Sequence, residues 1–192
     1  MKKIFFLLLL LGCSQVSIWA QSTKKKTYPF HSVNSLALVN GNNGVSAAMQ
    51  TVNGFSGGPW FAGVGLGLDY YQYRSVPLFA DVRYEMGQKR NKAFLYGNAG
   101  INFSWAQNYF YDEQVIWNGN RSNDFNNGFY SDAGIGLSAG CKNGNAFILS
   151  LGYSRKTMQE KITYIDWRTG NPQTDVNTYR FNRVILKTGF RF

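Results

Sequence analysis

The feature that most constrains this chain is a period of two in its apolar residues. Between residues 60 and 70, for example, an apolar side chain recurs at every second position from Trp60 to Tyr70. Two is the period of a β-strand, because successive side chains of a strand point to opposite faces. Eight such segments occur, at about 31–40, 45–53, 60–70, 78–86, 95–105, 132–140, 147–154 and 183–192, and the alternation is less regular in the first two. The pattern predicts an all-β chain of eight strands.

The connectors between these segments favour a meander of antiparallel neighbours. Asparagine and glycine cluster at 40–44 and 142–145, which is typical of tight hairpins, and short turns are predicted at 57–59, 75–77 and 88–92. Only the connectors 107–127 and 159–178 are long, and both fall on the same side of the sheet. Residues 162–165 keep strand character before a turn at 170–172, so the last two strands are expected to continue as a hairpin.

The N-terminus has the layout of a secretory signal peptide. Lys2 and Lys3 precede an apolar run at 4–11, and cleavage is expected after Ala20. We therefore predict a leader at 1–20, a polar segment at 21–29 and one domain at 30–192. Cys13 lies in a sequence that resembles a lipobox, so lipidation of Cys13 is the alternative to cleavage after Ala20. No later segment has the 18 apolar residues of a spanning helix, so a membrane protein of this sequence must be a closed barrel.

The polar face of the strands separates a membrane barrel from a soluble, lipocalin-like one. It consists largely of glycine, serine and asparagine, and charged residues make up only 16% of the chain. A water-facing sheet carries more charge, whereas the crowded interior of an eight-stranded barrel requires small side chains. The polar face is therefore predicted to point inward and the apolar face to point to lipid. The charged residues of the inward face are Asp69, Asp81, Arg83, Glu85, Asp132, Arg183, Lys187 and Arg191.

Aromatic residues at the ends of the segments predict two girdles on the lipid-facing side. One girdle lies near the periplasmic rim and consists of Trp60, Tyr84, Phe147 and Phe190. The other lies near the outer rim and consists of Tyr70, Trp105, Phe129 and Tyr153.

The last strand ends in Gly189, Phe190, Arg191 and Phe192. This ending resembles the terminal signal that the barrel-assembly machinery recognises in outer-membrane proteins. Together with the segments 60–71 and 77–83, it resembles the small OmpA/OmpX-type outer-membrane barrels and a barrel family of Bacteroidetes-type bacteria. The resemblance covers about 30–192 and implies an up-and-down transmembrane β-barrel in the outer membrane, in contact with its lipid and with both termini periplasmic. It implies no established activity.

The sequence contains few candidates for catalytic or ligand-binding residues. His31 is the single histidine, and it lies at the start of the first strand, where an interfacial role is favoured over a catalytic one. Gly63, Gly65 and Gly67 are spaced by two inside a strand, so they are expected to make room for bulky neighbours and not to bind a nucleotide. We expect no catalytic residues, metal or cofactor. The net charge of +10 forms no compact patch, so nucleic acid is not expected either.

Three functions remain open at this stage. The favoured one is a non-enzymatic outer-membrane barrel that acts structurally or binds an extracellular ligand or surface through 107–127 and 159–178. Inward charges would then form a packed network of ion pairs, because unpaired charges in a narrow interior are costly. The alternatives are a small pore or transporter with a charged lumen and an enzyme that modifies outer-membrane lipid.

Overall fold

A computed structural model describes residues 28–87, 90–105, 122–141, 145–166 and 168–192. The predicted leader 1–20, the lipobox at Cys13, the polar segment up to residue 27 and residues 106–121 of the first long connector lie outside the described residues. Parts of the predicted turns 88–92 and 142–145 lie outside them too.

The described residues form nine strands, all paired in antiparallel fashion. Their bounds are β1 Phe30–Gly41, β2 Gly44–Gly57, β3 Trp60–Asp69, β4 Ser75–Met86, β5 Asn91–Ser104, β6 Ser122–Asn126, β7 Gly128–Gly140, β8 Ala146–Ile165 and β9 Pro172–Arg191. No helix among these residues is long and apolar enough to cross a membrane.

Eight of the strands close into a ring. β1 pairs with both β2 and β9, and β9 pairs with β8, so the first and last strands share a ladder. Ser32 and Phe192 exchange both backbone hydrogen bonds across this seam, at 3.1 and 2.9 Å. β6 is separated from β7 by Asn127 and pairs with the distal part of β8. The predicted eight-stranded antiparallel barrel is therefore confirmed, with β6 as an addition.

The two ends of the barrel differ in their connections. We call the end that holds Phe30 and Phe192 the terminal end, and the end that holds the connections after β1, β3, β5 and β8 the loop end. The predicted turn at 75–77 was wrong, because Ser75–Pro77 lies inside β4 and the turn occupies 70–74. Pro77 pairs with β5, whereas the β3–β4 ladder is interrupted beside it. This interruption accommodates a residue that has no N–H to donate.

The second long connector is mostly strand. β8 and β9 remain paired from Ala146 with Arg191 to Ile165 with Pro172, so the connection shortens to 166–171. The expected continuation of these strands as a hairpin is confirmed, and most of the connector predicted at 159–178 belongs to the two strands. The outward face of the hairpin changes from Tyr153 and Val184 to Arg155 and Asn182, and from there on it is mainly polar.

The interior is packed with aromatic side chains opposite glycines. A buried cluster fills the part of the lumen nearer the terminal end and consists of Val33, Val52, Phe61, Phe79, Phe94, Tyr96, Tyr130 and Ile148. A Cβ atom added at Gly65 would collide with the ring of Phe79, and one at Gly136 would collide with Phe94. The expectation that inward glycines make room for bulky neighbours is confirmed at Gly65.

Candidate functional site

The eight charged residues predicted on the inward face all take part in ion pairs within the lumen. Asp69 pairs with Arg183 at 2.5 Å, and Asp81 pairs with Arg83 at 2.8 Å. The other two pairs are Asp132 with Lys187 and Glu85 with Arg191. Each carboxylate thus faces a cation on the same or another strand, which offsets the cost of placing it inside the barrel.

Asp132 on β7 is the centre of a hydrogen-bonded network that crosses the lumen. The hydroxyl of Tyr96 on β5 donates to its carboxylate at 2.9 Å, and the hydroxyl of Tyr130 donates at 3.4 Å. Gln50 on β2 donates in turn to the Tyr130 hydroxyl at 2.7 Å. With Lys187 of β9, the network joins four strands and ties opposite walls of the barrel together.

Nearer the terminal end, Arg83 combines an ion pair with two ring contacts. Its guanidinium lies 5.4 Å from the ring centroid of Phe61 and 5.8 Å from that of Phe94, while it binds Asp81. Glu85 lies two residues nearer the terminal end and pairs with Lys92 at 2.8 Å in addition to Arg191. Cation–π contacts of this kind strengthen where the cation is shielded from water.

The lumen has little free space at this level. A cavity lined by Ser35, Gln50, Arg83, Tyr96 and Lys187, among others, has a volume of about 10 Å³. One water molecule needs roughly 10–15 Å³. The space beside the charge network therefore admits at most about one water and no hydrated ion.

The loop end of the lumen is closed by the β3–β4 connection, residues 70–74, which Lys156 of β8 holds in place. The Lys156 ammonium donates to the main-chain oxygens of Tyr71 and Tyr73, both at 2.9 Å. It also donates to Ser75 Oγ at 3.2 Å and pairs with Asp69 at 3.3 Å. Since Lys156 and Asp69 are both buried, one lysine anchors the connection to the wall on the far side of the ring.

An aromatic cluster lies over this anchor, under the projecting hairpin. Tyr73 contacts Phe125 of β6 and Tyr179 and Phe181 of β9, with ring centroids 5.2–6.1 Å apart. The Tyr179 hydroxyl donates to Glu160 at 2.8 Å. Burial and this hydrogen bond to a carboxylate raise the pKa of Tyr179 above its ordinary value. We call residues 70–74 together with this cluster the cap.

Several residues of the site were missed in the sequence. Lys156 and Glu160 lie on the continuation of β8 beyond the predicted end of that strand, with the same parity as the inward Ser150 and Ser154. Tyr96 likewise has the parity of Asn98 on β5. Extending the alternation by a few residues would have placed Lys156 and Glu160 inward, and the alternation within the predicted segment 95–105 already places Tyr96 inward.

The residues predicted for the girdles are all exposed on the outer surface, and Tyr153 lies in the middle of β8 because that strand continues to Ile165. Trp60 packs on Tyr84 with ring centroids 4.8 Å apart, and Phe147 packs on Phe190 at 5.4 Å. Phe190 also lies 6.4 Å from Phe192, the last residue, while Gly189 packs against β1. Outward positions at the loop end hold Tyr70, Trp105, Phe129 and Tyr153.

His31 lies at the terminal end, where its Nδ1 is 3.1 Å from the Phe192 oxygen. The described residues hold no group of three or more histidine, cysteine, aspartate or glutamate side chains that could bind a metal ion.

Comparisons with known proteins show a likeness in structure but none in sequence. No family model matches the chain, and no curated protein sequence matches it. Among solved structures, the outer membrane protein AlkL, determined by solid-state NMR in DMPC lipid bilayers, is similar with 11% identity and a TM-score of 0.47. The likeness covers 90% of this chain and 93% of AlkL. The barrel assignment stands on the strand pairing described above.

Proposed function

We propose that this protein is an integral outer-membrane β-barrel of the small OmpA/OmpX type, with a closed lumen and no enzymatic activity. The proposal rests on the distribution of side chains, which is the reverse of that in a water-soluble protein: apolar residues lie outside and charged residues inside. The outward Val64 and Leu137 are 61% and 63% exposed, whereas Asp81 and Asp132 are at most 2% exposed. Water would favour the opposite arrangement, and a hydrocarbon surrounding favours this one.

The height of the apolar face agrees with a membrane. On β5 the outward residues run from Leu95 to Trp105 with no charged side chain among them. Ten residues of a strand tilted by about 40° rise roughly 25 Å, the height of the apolar band of such barrels. The termini would lie in the periplasm, because the short turns of these proteins face that side.

The closed lumen favours this function over a pore. The charge network and the cap occupy the axis of the barrel, and the cavity beside the network has a volume of about 10 Å³. Among the residues that the structure describes, the part that reaches furthest from the band is the three-stranded sheet of β6, β8 and β9. Its outward face carries the exposed Arg155, Lys161 and Arg180, together with the exposed Asp124 of β6 opposite Lys161. We therefore place the surface-interaction role on this sheet, toward an anionic extracellular partner.

The test combines location and activity. The chain should be recovered in the outer-membrane fraction and should migrate differently in unheated and heated gels, as a folded barrel does. Planar bilayers that contain the purified protein should stay silent, and cells lacking it should show an unchanged lipid A mass spectrum. Recovery in the soluble periplasm would contradict the location, discrete conductance would support the pore, and altered lipid A would support the enzyme.

A further inference from the structure

The outward wall of the barrel has most of its polar side chains in one sector, although Thr188 of β9 and Ser131 of β7 are also polar and outward. On β1 and β2, four outward residues within the apolar band are polar: Ser32, Asn34, Thr51 and Asn53. Asn34 pairs with Thr51 and Ser32 pairs with Asn53, so the four side chains form one patch. On β4 and β5, by contrast, the outward residues from Leu78 to Met86 and from Leu95 to Phe103 carry no polar side chain apart from the hydroxyl of Tyr84. We call the four residues the polar sector.

The polar sector lies within the depth that the proposed function assigns to lipid. Phe30 and Phe55 pack edge to face at the terminal end, with ring centroids 5.5 Å apart. Asn34 is four residues further along β1 than Phe30. Four residues of a tilted strand rise about 10 Å, which places Asn34 just inside the terminal edge of an apolar band about 25 Å tall, opposite the girdle residue Phe190 of β9.

The amides of the polar sector are incompletely satisfied within the chain. Asn34 Nδ2 donates to Ser32 Oγ at 3.3 Å. The side chain of Asn53 is exposed, and it makes no hydrogen bond with the part of the chain that the structure describes. An amide facing hydrocarbon without a partner is costly, so its hydrogen-bonding groups require a polar neighbour from outside the barrel.

A groove adjoins the polar sector on the same wall. It has a volume of about 480 Å³ and runs across β9, β1, β2 and β3. Leu36, Met49, Leu66 and Phe190 line it together with Asn34 and Thr51 of the sector. The wall of the barrel is therefore concave beside Asn34, so that a second surface can approach this amide closely.

We propose that this sector is the docking surface for a second copy of the chain, with a two-fold axis along the membrane normal. Such an axis keeps every residue at its own depth, so the polar sector of one copy meets the polar sector of the other. An asparagine amide both donates and accepts, so the sector can satisfy itself, and no charged residue in it opposes the contact. A lipid chain could fill the groove, but it has no group to pair with the amides.

This inference rests on the proposed function, and disulfide crosslinking in outer membranes tests it. The reporter is Leu36→Cys, which lines the groove and leaves all four polar side chains in place. The matched control is Ala99→Cys, an exposed outward residue of β5 on the opposite wall. Both are made with Cys141→Ser, because Cys141 is exposed. Crosslinked dimer should form about fivefold more from the Leu36→Cys reporter than from the Ala99→Cys control.

A second variant tests the role of the amides. Adding Asn34→Leu and Asn53→Leu to the Leu36→Cys reporter should lower crosslinking to the level of the control. These changes make the wall more apolar, so the barrel should still fold. Equal crosslinking from reporter and control, or crosslinking that the two leucines leave unchanged, would overturn the inference.

The same samples separate the two proposals. A reporter chain that reaches the outer membrane and shows the heat-dependent shift in gels, but crosslinks no better than the control, contradicts the dimer alone. A chain absent from the outer-membrane fraction contradicts the proposed function and the dimer with it.

Discussion

Lys156 of β8 donates a hydrogen bond of 2.9 Å to the main-chain oxygen of Tyr71, a residue 85 positions earlier in the chain. This contact joins two sides of the barrel across the loop end of the lumen. It makes the β3–β4 connection a fixed cover, since the same ammonium also binds Tyr73 O and Asp69. The position of this cover therefore depends on one buried lysine and its partners.

Replacing this lysine should release the cover. Lys156→Met keeps a side chain of similar length but removes the ammonium from two carbonyl oxygens. We expect the free energy of unfolding to fall by about 3 kcal/mol. This is near the lower end of the range for breaking a buried ion pair, because Asp69 still pairs with Arg183. Amide hydrogen exchange at residues 71–75 should rise by about two orders of magnitude. Lys161→Met, at an exposed position of the same strand, is the control, and equal exchange in both variants would contradict the anchor.

The pair of Asp132 and Lys187 should show strong coupling. Lys187→Met leaves the buried Asp132 carboxylate with only the Tyr96 and Tyr130 hydroxyls as partners. It should lower the free energy of unfolding by about 3–5 kcal/mol. Adding Asp132→Asn removes the charge but keeps an acceptor for those hydroxyls, so much of the loss should be recovered. Urea unfolding of the folded barrel in detergent measures both single variants, the double variant and the native chain. Additive losses would show that the two side chains do not interact.

The fit of Gly65 against Phe79 predicts a mutation that overfills the lumen. Gly65→Ala should lower the free energy of unfolding by about 1–3 kcal/mol, because the new methyl group meets the Phe79 ring. Adding Phe79→Leu should restore part of the loss. Gly97→Ala is the matched control, since a Cβ atom there meets nothing within 4 Å. A similar loss at both glycines would point to backbone effects and contradict a steric cause.

The cap should respond to alkaline pH through Tyr179. Its pKa is raised in the folded chain, so the favourable contribution of the protonated phenol is present below the ordinary pKa of tyrosine and is lost as the pH rises through the raised value. The difference in phenolate absorbance between the native chain and Tyr179→Phe should therefore appear only above about pH 10. A difference already complete at pH 10 would contradict the burial of this hydroxyl against Glu160.

The barrel could be predicted from the sequence because its signal is local and repeated. Most strands alternate small or charged residues with apolar ones, and a period of two leaves only one choice of which residues share a face. Inward placement of Asp132 and Lys187 followed from that alternation. Their pairing did not, because the side chains that meet inside a ring are set by the register at which the barrel closes and not by any local pattern.

The cap could not be predicted for a related reason. Lys156 lies beyond the apolar stretch that marked the end of its strand, and its partners include main-chain oxygens, which leave no trace in the sequence. Pro77 was assigned to a turn because proline is common there. The structure places it in a strand where an interrupted ladder removes the need for its N–H.

The central claim is that the barrel spans the outer membrane with its terminal end inside and its hairpin outside. Labelling of intact cells with a membrane-impermeant thiol reagent tests it most directly. Two chains are compared: Arg168→Cys combined with Cys141→Ser, which has its thiol in the β8–β9 connection, and the native chain, which has the exposed Cys141 at the terminal end. We predict that the Arg168→Cys chain reacts in intact cells and that Cys141 reacts only after the outer membrane is permeabilised. Labelling of Cys141 but not of the Arg168→Cys chain in intact cells would contradict the account.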